Sequence, residues 1–128
     1  MRRDPRTKER SGNSDMTIEE LKALGVQTEE GLSRCLNNEA FYFRLIGMAV
    51  EDAAFEKLEE AVAAGDLTAA FEAAHSLKGV TGNLSLAPLY EPLSEMTELL
   101  RARKEADYAP YLEQIRCSRG AIRALCGE

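Results

Sequence analysis

The chain has 128 residues, 45% of them hydrophobic and 30% charged, which suits one globular domain around a single core. A formal net charge of -6 and a pI of about 4.9 give no excess of Lys and Arg to neutralise phosphates, so neither nucleic acid nor an anionic membrane is an expected partner. No stretch approaches the ~18 apolar residues of a membrane helix and no secretory signal is evident, so the expected location is the cytoplasm.

Residues 1–15 contain no aliphatic residue after Met1 and carry five basic and three acidic residues. Such a segment buries too little apolar surface to offset its ordering entropy, and a disordered leader is expected there, followed by one domain over 16–128. From Met16 onward Ala, Leu, Glu, Lys and Arg dominate and β-branched runs are scarce, which points to an all-α fold. Thr17 and Glu20 form a capping box for a short helix that stops at Gly25. Thr28 to Leu36 reads as a second short helix, ended by Asn37 and Asn38.

Four longer helices are expected next. The first runs from about Asn38 to Ala64, with Phe41, Leu45, Met48, Phe55, Leu58 and Val62 on one stripe and Gly65 as its cap. Asp66 caps the second, whose inward stripe is Leu67, Ala70, Ala74, Leu77 and Leu84. Pro88 suits the first turn of the third, with Pro92 close behind, and Leu89, Leu93, Met96 and Leu100 face inward. The fourth begins near Tyr108 to Pro110 and buries Tyr111, Leu112, Ile115, Ile122 and Leu125. Short connections make sequential helices antiparallel neighbours, so the expected architecture is an up-down-up-down four-helix bundle with a short N-terminal helical cover.

The second long helix holds the chemistry-bearing residues. His75 is the one histidine of the chain, and Phe71, Lys78, Gly79 and Gly82 lie at offsets of -4, +3, +4 and +7 from it, on one face. That face is rotated away from the apolar stripe. A glycine inside a helix costs about 1 kcal/mol relative to alanine, so two beside the histidine need a reason. Either they let another helix of the bundle approach closely or they clear space for a partner to reach the imidazole. Lys78, expected to stay solvated on the same face, favours the second. A neutral imidazole is a nucleophile that forms covalent intermediates, and an ammonium one turn away supplies charge for phosphoryl oxygens. Phosphoryl transfer asks for little beyond positioning and charge neutralisation. A hydrolase built on His75 is disfavoured, because no Ser or Cys nucleophile with an orienting carboxylate is suggested by spacing. Cys35, Cys117 and Cys126 form no CxxC pair and are expected to be free thiols rather than zinc ligands.

The segment Ala74-His-Ser-Leu-Lys-Gly-Val-Thr-Gly-Asn-Leu84 resembles the signature of histidine-containing phosphotransfer (HPt) domains of phosphorelays. Ala63-Ala-Gly-Asp66 and Glu39-Ala-Phe-Tyr-Phe-Arg44 are also similar to the family. The resemblance implies a four-helix bundle with an exposed phosphorylated histidine on its second helix. It assigns His75 as phosphoryl acceptor and donor, Lys78 as charge near the phosphate, and Gly79 as a close-approach position. Phe71, Gly82 and Ser85 join them on the expected docking surface, although Ser85 stands where the family usually has glycine. The implied partners are receiver domains of a hybrid histidine kinase and of a response regulator. Any Mg2+ is expected on the receiver, and this chain is expected to need no cofactor, to lack kinase activity of its own and to act as a monomer. A helical adaptor that docks receivers without becoming phosphorylated is the alternative.

Overall fold

The capping box at Thr17 forms as expected: its hydroxyl accepts from the Glu20 amide at 3.1 Å and the Glu20 carboxylate accepts from the Thr17 amide at 3.1 Å. It opens α1 (Ile18–Ala23), which ends before Gly25 at φ +99, a left-handed conformation that glycine adopts without strain. The computed structural model describes residues 16–126, so the expected leader over 1–15 lies outside the described residues. Every regular element within them is an α-helix: α1, α2 (Thr28–Arg34), α3 (Glu39–Val50), α4 (Ala54–Ala64), α5 (Leu67–Asn83), α6 (Ala87–Arg101) and α7 (Ala109–Leu125).

The single helix expected from Asn38 to Ala64 is in fact two, α3 and α4. Its break has local and distant causes. The Asp52 carboxylate accepts from the Ala54 amide at 2.8 Å, a short-range side-chain bond that competes with helix continuation. Arg119, on α7, donates from Nε to the Val50 carbonyl at 2.7 Å and so satisfies one of the carbonyls freed at the end of α3. The break also resets the helical phase. Tyr42, Ile46, Ala49 and Val50 are buried on α3, whereas Phe41 and Met48, expected inside, are exposed at 38% and 63%, and Leu45 is half-buried. On α4 the expected Phe55 and Leu58 are buried, joined by Ala61, while Val62 is half-buried.

Gly65 takes φ +73 after α4, and the Asp66 carboxylate caps α5 by accepting from the Ala69 amide at 3.0 Å. Helix α5 packs against α4 on one side and α6 on the other. Buried Ala70, Ala73 and Ala74 keep its inward surface shallow, with Leu77 fully enclosed behind them. Leu67, expected on that stripe, is half-buried at the open end. Pro88 occupies the first turn of α6, and Leu89, Leu93, Met96 and Leu100 are buried along it as expected. On α7, Ile115 and Ile122 are buried, but Tyr111, Leu112 and Leu125 are half-buried at the margin of the core. Each fully enclosed Leu or Ile contributes roughly 1.5–3 kcal/mol of burial.

Arginines fasten α7 across the joint. Arg116 pairs with Glu59 at 3.4 Å, Arg119 with Glu56 at 3.0 Å and Arg123 with Glu51 at 2.8 Å. The Arg119 guanidinium also lies 4.4 Å from the Phe55 ring centroid, and its hydrogen bond holds the Glu56 carboxyl below the ordinary carboxylate value.

Candidate functional site

Helix α5 runs from its Asp66 cap to Asn83 without a break, so the side chains on its outer face keep fixed mutual positions. His75 is exposed near its middle. One turn earlier, the Phe71 ring stacks on the imidazole, with centroids 5.5 Å apart and planes tilted by 23°. Phe71 is half-buried, so the imidazole has one face against a ring that the helix holds in place.

Lys78 departs from the solvated position expected for it. Its side chain is 26% exposed, and Nζ stands 3.9 Å from a Glu98 carboxylate oxygen on α6. Glu98 also accepts from Arg101, at 3.3 Å from Nε and 3.4 Å from an Nη. The Arg101 guanidinium in turn lies 5.1 Å from the centroid of the same Phe71 ring that stacks on His75. Glu98 and Arg101 escaped the sequence reading, since they sit on the polar side of an amphipathic helix and nothing local shows that they reach across to α5.

The two glycines divide between the two explanations. A Cβ at Gly79 would meet nothing within 4 Å, so the absent side chain leaves open space next to His75. At Gly82 a Cβ would come within 3.0 Å and 3.2 Å of the Tyr90 ring on α6, so that glycine serves helix approach inside the fold. The Gly82 carbonyl also accepts from Arg34 of α2 at 2.6 Å.

Ser85, expected on the docking surface, lines the groove beside His75 but is mostly enclosed. It is buried at 6% exposure and takes φ +57, the left-handed position just beyond the helix where glycine is ordinarily favoured. Its hydroxyl donates to the Glu30 carboxylate at 3.1 Å and its carbonyl accepts from the Gln27 amide at 3.0 Å. Those bonds hold the serine in a conformation that costs an L side chain roughly 1–2 kcal/mol.

A groove of about 600 Å³ runs past the imidazole. His75, Lys78, Gly79 and Gly82 form its floor, Glu30 and Arg34 of α2 one wall, and Tyr90 and Glu91 of α6 the other. The α2 wall also escaped the sequence reading, because Arg34 and Gly82 are 48 positions apart. No group of three or more His, Cys, Asp or Glu side chains able to hold a metal ion occurs among the described residues, and no described helix is long and apolar enough to cross a membrane. The arrangement offers an accessible nucleophile on a rigid support, an uncluttered approach at Gly79, and two cations already gathered around one carboxylate.

A model of the Hpt domain family matches residues 49–126, more than half of the chain. The match takes in α4 to α7 and leaves α1, α2 and most of α3 outside it. No curated protein and no solved structure matches the chain.

Proposed function

The chain belongs to the Hpt domain family, whose members take part in histidine phosphotransfer with receiver domains, and from that premise we propose that His75 is its phosphoryl carrier. A lone pair of the neutral imidazole attacks the phosphorus of a receiver's aspartyl phosphate. The P–N bond forms as the bond from phosphorus to the carboxylate oxygen breaks, and the aspartate leaves with the electron pair. The proton on the other ring nitrogen stays or passes to water as the charge settles. Delivery to a second receiver reverses these steps. Mg2+ belongs to the receiver side of the encounter.

The observation that carries this reading is the placement of an exposed His75 beside open space at Gly79, with the Lys78 ammonium on the same helix face. Lys78 supplies charge for the phosphoryl oxygens. Phe71 holds one face of the ring. Gly82 and Ser85, taken from the family pattern as docking positions, line the groove beside His75 and also set how α5 meets α6 and α2.

The donor is the receiver of a hybrid histidine kinase and the acceptor that of a response regulator. The carrier works as a cytoplasmic monomer and has no kinase activity of its own. In this reading α4 to α7 are the up-down-up-down bundle. The opposite order of the pairs Arg116–Glu59, Arg119–Glu56 and Arg123–Glu51 along α7 and the α3–α4 joint supports antiparallel helices there.

Incubation with a phosphorylated receiver tests the proposal. Wild-type protein is expected to acquire acid-labile, alkali-stable label, and His75→Gln to acquire none while keeping its helical content. Equal receiver binding by both proteins with no label on either would replace the carrier with the adaptor.

A further inference from the structure

Five side chains on α5 and α6 form a chain of contacts that begins and ends beside the imidazole. His75 stacks on Phe71, Phe71 faces the Arg101 guanidinium, Arg101 pairs with Glu98, and Glu98 pairs with Lys78, one turn along from His75. Two cations and one anion are thus linked to the reactive ring, Lys78 along the same helix and Arg101 through the Phe71 ring. The Glu98 side chain is 59% exposed, so burial does not require it to be there. It draws the Lys78 ammonium towards α6 and pairs with Arg101 within α6, and a phosphoryl group on His75 would have to compete with it for them.

We propose that Glu98 is a positioning residue that limits the stability of the phosphohistidine, keeping His75 a carrier rather than a sink. The inference rests on the reading of His75 as the phosphoryl carrier. A phosphoryl group brings close to two negative charges to the face that Lys78 and Arg101 share. With Glu98 present, each cation is divided between a carboxylate and the phosphoryl oxygens, and the carboxylate also repels the new charge directly. Without it, both cations turn to the phosphoryl group, and discharge to a receiver becomes less favourable. The effect belongs to partly exposed charges, so it is a few-fold one and weakens as salt rises.

The test measures how label partitions at equilibrium between the full-length protein and a phosphorylated receiver, for the wild type, Glu98→Gln, Lys78→Ala, Arg101→Ala and the two double variants that carry Glu98→Gln. Phosphohistidine lifetime after removal of the receiver is followed in parallel. Glu98→Gln is expected to shift the partition towards the carrier about two- to five-fold at low salt, to lengthen the lifetime, and to leave the melting temperature unchanged. In the Lys78→Ala background the shift should shrink, because one of the two restrained cations is gone. An unchanged or opposite partition in Glu98→Gln overturns the proposal. So does a shift of full size in both the Lys78→Ala and Arg101→Ala backgrounds, which would make Glu98 a bare charge that positions nothing. Failure of the carrier reading itself looks different, since the wild type would then take no acid-labile label at all.

Discussion

Gly79 and Gly82 are both helical glycines of α5, yet a methyl group has opposite consequences at the two positions. At Gly79 it would meet open space, so Gly79→Ala is expected to raise unfolding free energy by about 1 kcal/mol through helix propensity while slowing phosphoryl transfer. At Gly82 the methyl would press on the Tyr90 ring, and Gly82→Ala should show no such gain. Denaturant unfolding with transfer rates on both variants checks the pair; equal stabilisation would show that Tyr90 yields freely. Their presence beside His75 was legible from spacing alone, but which glycine served which purpose depended on a ring eight residues further along the chain. Tyr42 offers a second residue-scale check. Its hydroxyl is buried, donates to the Leu84 carbonyl at 2.8 Å, and lies where a Cβ at Gly31 would overlap it. Burial, the largest cause, raises its pKa from 10.0 to about 12. The unfolded chain therefore gives up this proton before the folded one does, and the associated stability, complete below pH 10, is lost between pH 10 and about 12. Tyr42→Phe should cost about 1–3 kcal/mol at neutral pH by leaving a carbonyl unpaired, and should flatten that alkaline decline. An identical decline in the variant would assign it to another group.

The helices were legible in the sequence where their signals were local. The Thr17 capping box, Gly65, Asp66 and Pro88 each act within a few residues, and each marks a boundary that the structure reproduces. The break between α3 and α4 was not legible, because the apolar stripe keeps its helical phase across the seven positions from Met48 to Phe55. That regularity made Phe41 and Met48 look like core positions, whereas α3 buries the neighbouring stripe of Tyr42, Ile46, Ala49 and Val50 and leaves both exposed. Asp52 was the local clue, and Arg119, on a helix far along the chain, was the distant one. Arg119 concentrates three interactions: a hydrogen bond to Val50, an ion pair with Glu56 and a contact with the Phe55 ring. Arg119→Ala is expected to lower unfolding free energy by about 1–3 kcal/mol, with Arg119→Lys intermediate because an ammonium has no planar fork to serve a carbonyl and a carboxylate together. Equal melting temperatures for the wild type and Arg119→Ala would mean that Arg119 adds nothing to the burial of Ile115 and Ile122 and the two other ion pairs that hold α7.

Across the whole molecule, the residues that approach His75 come from three separate stretches: α2, α5 and α6. Only the α5 contribution could be read in one line of sequence. The α2 wall is joined to α5 by Arg34 on the Gly82 carbonyl and Glu30 on Ser85, both long-range bonds, and it lies outside the segment matched by the family. The groove beside the imidazole is thus lined in part by residues outside the matched segment. Ser85 shows the same coupling, since its left-handed backbone is secured by Glu30 of α2. In the proposed function this assembly accepts a phosphoryl group on one residue and gives it up again. Its most direct measurement is a chase: load the protein from one phosphorylated receiver, remove that donor, and add an unphosphorylated receiver. Acid-labile label at His75 is expected after loading, with its transfer to the second receiver during the chase. Label that maps elsewhere, or that loads equally onto His75→Gln, would contradict it.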